Sequence, residues 1–98
     1  MHLDSLIVSG VAMYIVYAIT NLTGNIYIGQ TDNLDVRLAR HNSLLPHKKS
    51  SYTHKHAGPW KLVYKEEFET RHEALHREKV LKSYQGRVFL KRKVGPVL

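Results

Sequence analysis

The chain has 98 residues, room for one small domain and no second core. Its apolar fraction of 43% excludes a disordered tail, and the absence of cysteine excludes disulfides and thiolate metal sites. The net charge of +7 is unevenly spread: residues 1–36 carry Asp4, Asp32 and Asp35 and no Lys or Arg, while 37–98 hold all 15 Lys and Arg against five acids.

No acid follows Glu78, whereas Lys79, Lys82, Arg87, Lys91, Arg92 and Lys93 do. Such asymmetry suits a polyanion, because each neutralised phosphate releases condensed counterions; a solvated basic surface is the plainer alternative. The mostly apolar run Leu6–Ile19 is shorter than the roughly 20 residues a bilayer span takes, and it lacks the basic start of a signal peptide. A cytoplasmic protein without a membrane segment is the expectation.

Residues 1–12 show no periodic pattern and read as a poorly ordered extension ahead of a domain at 13–93, with 94–98 as a tail. Tyr14–Thr20 and Asn25–Gln30 are β-branched and aromatic runs separated by Asn21-Leu22-Thr23-Gly24, which predicts a hairpin. Asp32 and Asn33 offer N-caps for a helix from about Leu34 to Asn42. Residues 43–59 are polar, basic and punctuated by Pro46, Gly58 and Pro59, a loop long enough to be functional or mobile. Trp60–Tyr64 predicts a third strand, extending toward Phe68. Thr70 and Glu73 have capping-box spacing and open a helix to about Ser83 that stops before Gly86. Arg87–Lys93 reads as a helical turn or a strand. The order ββαβα predicts an α+β fold, a small three-stranded mixed sheet flanked by helices.

Several positions bear on chemistry. On the second helix the 74/75/78/81/82 spacing defines an apolar stripe, and Glu78 falls inside it. A carboxylate there pairs with a cation, binds a metal or faces a polar cleft, since an uncompensated buried charge costs on the order of 3–5 kcal/mol. Arg37, Arg40 and His41 lie within one turn and can point together, with a guanidinium fork that matches phosphate oxygens; a solvated face is the alternative. Tyr14, Tyr17 and Tyr27 sit in the hairpin, where aromatics are ordinarily sheet-face residues, and Gly29 ends the second strand. His54 with His56, and His72 with His76, have ligand-like spacing, but no Cys or HExxH arrangement supports a zinc site.

Taken in order, these residues resemble the GIY-YIG nuclease family over about residues 13–85. Ile15-Val16-Tyr17, with Ile15 where the family often has Gly, matches the first half of the motif, and Tyr27-Ile28-Gly29 the second. The run continues as Gln30-Thr31-Asp32-Asn33-Leu34, Arg37-Leu38 and His41-Asn42. Pro59-Trp60-Lys61-Leu62-Val63-Tyr64 resembles the third-strand signature of the short stand-alone members, and Glu73-Ala74-Leu75 with Glu78 and Lys82 resembles the family's later helix.

The resemblance implies a metal-dependent endonuclease on DNA, with branched, nicked or damaged structures in repair or recombination as candidate substrates and with no small-molecule cofactor. Tyr17 and Tyr27 would face a shallow groove, Tyr27 helping to deprotonate the attacking water. Arg37 would hold the scissile phosphate, Glu78 would be the single protein ligand to Mg²⁺ or Mn²⁺, and His41 would serve as an auxiliary acid, base or phosphate contact. Arg40, Lys48, Lys49, Lys82, Arg87, Lys91, Arg92 and Lys93 would supply nucleic-acid contacts. Members related to the nuclease of nucleotide excision repair carry lysine where this chain has Gln30. A non-catalytic nucleic-acid-binding module with the same fold is the main alternative, and a protein-interaction domain the third.

Overall fold

The computed structural model describes residues 13–42, 53, 56 and 58–95. The extension at 1–12, most of the basic loop with Lys48, Lys49 and His54, and the last three residues lie outside the described residues.

Three strands form one sheet in the order β2-β1-β3: β1 is Tyr14–Thr20, β2 Ile26–Thr31 and β3 Lys61–Phe68. Both pairings are antiparallel, so the sheet is not mixed as the sequence suggested. The reason is topological. β3 returns on the far edge of β1, and the two strands that share a direction, β2 and β3, never become neighbours. The β1–β2 turn is held by its own side chains: Asn25 N–H donates to Asn21 Oδ1 at 2.8 Å and Thr23 Oγ1 to Asn25 Oδ1 at 2.8 Å.

Because strand side chains alternate, β1 feeds two cores. Tyr17 and Ile19 join Trp60 on one face, with Tyr27 and with Leu34 and Leu38 of helix α1, Leu34–His41. Val16 and Ala18 join Ile28, Ala74, Leu81 and Leu90 on the other, beneath α2, Arg71–Lys82, and α3, Tyr84–Val94. The four residues Val16 to Ile19 are fully buried, as a central strand covered on both faces requires.

The helix starts follow the sequence. Asn33 accepts from Val36 N–H at 3.2 Å and Thr70 from Glu73 N–H at 3.1 Å. On α2, Ala74 and Leu81 are buried, whereas Leu75 is exposed and does not belong to the buried stripe.

The helix opened by Thr70 ends at Lys82 with Ser83 as its cap, before Gly86 as expected, but residues 87–93 are neither a single turn nor a strand: they belong to α3. Ser83 ends α2 and starts α3, its hydroxyl donating to the Val80 carbonyl and accepting from Gly86 N–H at 3.1 Å. A Cβ on Gly86 would stand 2.2 Å from the Val80 carbonyl oxygen and 2.5 Å from Leu81 Cα. The glycine is there because the helices meet backbone to backbone. A fork from Arg77 to Glu66, at 2.8 and 2.9 Å, then ties α2 to β3, and Tyr64 donates to the same carboxylate.

Gly86→Ala should therefore cost roughly 1–3 kcal/mol by forcing the helix corner apart, read as a lower denaturation midpoint. Burial works to raise the Glu66 carboxyl, but the hydrogen bonds from Arg77 and Tyr64 outweigh it and hold it below its ordinary 4.5. A depressed carboxyl contributes its stability in full above that ordinary value and loses it as pH falls through the lower folded one. Glu66→Gln should cost about 1 kcal/mol at neutral pH, discounted for partial exposure, and should flatten the fall in stability below pH 4.5 in acid denaturation.

Candidate active site

The β1–β2 register sets Tyr17 opposite Gly29, on the face that α1 covers. A Cβ at position 29 would lie 2.8 Å from the Tyr17 hydroxyl oxygen and 2.9 Å from Tyr27 Cε2. With no side chain there, the Tyr17 ring lies across β2, and its oxygen meets His41 Nε2 at 2.6 Å. The other imidazole nitrogen, Nδ1, is 2.8 Å from Thr53 Oγ1, and both His41 and Thr53 are buried. Tyr17, Tyr27 and His41 form a triangle of rings, with centroids 6.2 Å apart between the tyrosines, 5.7 Å from Tyr17 to His41 and 4.8 Å from Tyr27 to His41.

Helical spacing puts Arg37 one turn before His41 on the same side of α1. Its Nη2 donates to the Tyr27 hydroxyl at 3.4 Å. Asn42 clamps the end of α1 to the start of β3, accepting from Trp60 N–H at 2.5 Å and donating to the Trp60 carbonyl at 3.1 Å. These two bonds fix how far α1, with Arg37 and His41, stands from the sheet.

Burial pushes the Tyr17 phenol well above its ordinary 10; Arg37 opposes the shift, while Tyr27 and the Glu78 carboxylate add to it. The phenol is therefore protonated at neutral pH, and we assign its proton to the bond with His41 Nε2. That leaves the imidazole proton on Nδ1, where it donates to Thr53. The same influences place Glu78 within electrostatic reach of Tyr17, although it comes from α2 on the opposite face of the sheet.

Glu78 has 18% of its side chain exposed and accepts from Lys82 Nζ at 2.7 Å. Lys82 itself is half exposed, so the carboxylate is not locked to an internal cation. Among the described residues no group of three His, Asp or Glu gathers to hold a metal, which leaves His72 and His76 as exposed helix residues. A lone carboxylate with solvent access fits a hard cation that keeps most of its water and takes its remaining ligands from a phosphate.

Of the residues singled out in the sequence, Tyr17, Tyr27, Arg37 and His41 come together, and Glu78 approaches them from the far helix. One expectation changes and one alternative falls away. Tyr17 is fully buried rather than groove-facing, and His41 is not on a solvated helix face. Arg40 is exposed and joins the cluster through no hydrogen bond or ion pair among the described residues. Arg87, Lys91, Arg92 and Lys93 lie exposed along α3. Gln30 pairs with Val16 and so faces the α2 side, away from the phenols. Its Oε1 is buried without a hydrogen-bond partner among the described residues. Sequence reasoning missed Thr53, which nothing in a polar loop distinguishes from its neighbours.

Antiparallel sheet, capped helices and this cluster form one small α+β domain. A profile of the GIY-YIG catalytic domain matches residues 13–92, and the chain belongs to that family, whose members are generally endonucleases that use divalent metals. A UPF0213 protein of Staphylococcus haemolyticus is 35% identical over 80 residues, covering 82% of this chain and 93% of that protein. A UPF0213 protein of Staphylococcus epidermidis is 35% identical over 78 residues, covering 80% of this chain and 90% of that one. The solution NMR structure of a UPF0213 protein from Bacillus halodurans superposes with a TM-score of 0.51 at 28% identity, covering 86% of this chain and 88% of that chain.

Nitrogen NMR should find the proton of the neutral His41 tautomer on Nδ1, as the assigned direction of the Tyr17 bond requires. Tyr17→Phe removes the donor to a buried imidazole and should cost about 1–2 kcal/mol in thermal denaturation. An Nε2-protonated ring in the unaltered protein would contradict the assigned direction of the Tyr17 bond.

Proposed function

We propose that this chain is a divalent-metal-dependent endonuclease that hydrolyses phosphodiester bonds in DNA, acting on branched, nicked or damaged structures in repair or recombination. The observation that carries the reading is the meeting of two phenols, a guanidinium and an imidazole on one face of the sheet, with the Glu78 carboxylate of α2 within electrostatic reach of Tyr17. A structural cluster of this size has no need of a fixed guanidinium on a phenol oxygen together with a carboxylate open to solvent.

In this reading the side chains divide the work. Arg37 is always charged and holds two phosphate oxygens with its fork, stabilising the charge that grows as water attacks. Tyr27, whose oxygen already accepts from Arg37, orients the attacking water and takes its proton as a phenolate, having first released its own proton to solvent. Tyr17 remains protonated and donates, so it steadies His41 and the ring triangle rather than acting as the base. His41 has both nitrogens engaged and positions Tyr17. Glu78 would hold the divalent cation, with Lys82 releasing its oxygen, and the ion would supply Lewis-acid stabilisation of the phosphate and of the departing oxygen. No helix among the described residues is long and apolar enough to cross a membrane, in keeping with a DNA-directed role in the cytoplasm.

A non-catalytic binding module is the competing reading, supported by the basic α3. Nicking of supercoiled plasmid in Mg²⁺ or Mn²⁺ separates the two. The unaltered chain should nick, chelation should stop it, and Arg37→Ala, Glu78→Ala and Tyr27→Phe should each lose about 100-fold or more with unchanged circular dichroism. Equal nicking by all variants would assign the activity to another site or a contaminant. Salt-dependent binding without cleavage on any DNA form would favour the binding module.

A further inference from the structure

We propose that Tyr84 is a stacking platform for an unpaired DNA base, flanked by phosphate contacts from Arg87 and Lys91, so that the chain prefers DNA with a single-stranded stretch. The proposal rests on the DNA-directed reading above and adds to it a second contact surface and a substrate class.

Tyr84 is 81% exposed, an unusual state for the first aromatic of a helix packed on a sheet. It stands between two hollows. One, of about 360 Å³, is lined by Ile26, Tyr84, Arg87, Val88, Leu90 and Lys91. The other, of about 400 Å³, lies on the far side of Tyr84 and Val88 and is rimmed by Arg92. Arg87, Val88 and Lys91 follow Tyr84 at three, four and seven residues, so ring, apolar floor and cations run along one side of α3.

The charge identifies the occupant. α3 contains no acid, and Arg87, Lys91 and Arg92 are in no ion pair among the described residues. A protein partner covering this groove would bury three like charges around a small apolar floor, whereas charged residues are depleted at the cores of such interfaces. A single strand brings phosphates to the rim and π-faces to the ring, which is how sequence-tolerant single-strand sites are built.

The groove is also placed to serve the cluster of Tyr27 and Arg37. Ile26, on its wall, is the neighbour of Tyr27 on the edge strand β2, and the two side chains face opposite sides of the sheet. DNA at the phenols can therefore pass a strand around that edge to α3. A duplex carrying a tail or an opened segment presents both parts at once.

The test is binding of the full chain, measured by fluorescence anisotropy in chelator, to a blunt duplex and to the same duplex with a tail of about ten deoxythymidines. The tailed DNA should bind about tenfold more tightly; Tyr84→Ala should abolish that preference and Tyr84→Phe should keep it. Arg87→Ala with Lys91→Ala should lower the slope of log affinity against log salt on the tailed DNA by about 1.4. Equal affinity for both DNAs, or a Tyr84→Ala loss identical on both, would overturn the proposal. A Tyr84→Ala effect confined to self-association in sedimentation would overturn it too, by naming a second copy as the occupant. A tail preference that depends on Tyr84 in a chain that never nicks plasmid would leave the stacking site standing and remove the endonuclease reading instead.

Discussion

The hydroxyl of Tyr17 reaches His41 only because position 29 has no side chain. That absence lets an aromatic ring lie flat across a neighbouring strand, and the rest of the site is arranged around the ring. Move Tyr17 and the imidazole loses its donor, the ring triangle opens, and Tyr27 loses one of the surfaces that hold it near Arg37. The glycine is as much a part of the site as the groups with chemistry in them, although it contributes no atom beyond the backbone.

Burial of Tyr17 has a second consequence. A phenol removed from water resists ionisation, so Tyr17 is held in its protonated form. Of the two phenols, the buried one is a hydrogen-bond donor with a fixed partner. The half-buried one, Tyr27, accepts from the Arg37 guanidinium instead. Identical side chains are separated in function by the alternation of a strand and the depth of a core, not by their own chemistry.

Much of this was legible in the sequence because it is local. The hairpin follows from its turn residues, the helix starts from Asn33 and Thr70, and the grouping of Arg37 with His41 from helical spacing. What was not legible depends on elements meeting. The stop before Gly86 was legible, but not that the glycine lies inside a further helix and lets α3 touch the Val80 carbonyl, which no single segment reveals. The mixed sheet failed for the same reason, since direction between β2 and β3 says nothing until their order is known. Arg40 follows the helical rule as well as Arg37 does, yet stays in solvent, because spacing gives a side and not a depth. Thr53 was invisible: its partner is set by the path of a loop.

Glu78 shows how a sequence anomaly and a structure can each be half of an answer. The pattern said that a carboxylate on the buried side of α2 needs compensation. The structure supplies it with Lys82, four residues on, which is half in water. A pair of that kind is held weakly, because an exposed ammonium gives up little when it returns to solvent. A less exposed arginine in the same place, like Arg77 against Glu66, would have bound the carboxylate by two directed bonds and closed it to any other cation. The same helix thus carries both arrangements, one turned toward β3 to hold the fold together and one left exchangeable. The difference between them lies in the partner's exposure and in the number of its donors, which is why the carboxylate at 78 is held less firmly than that at 66.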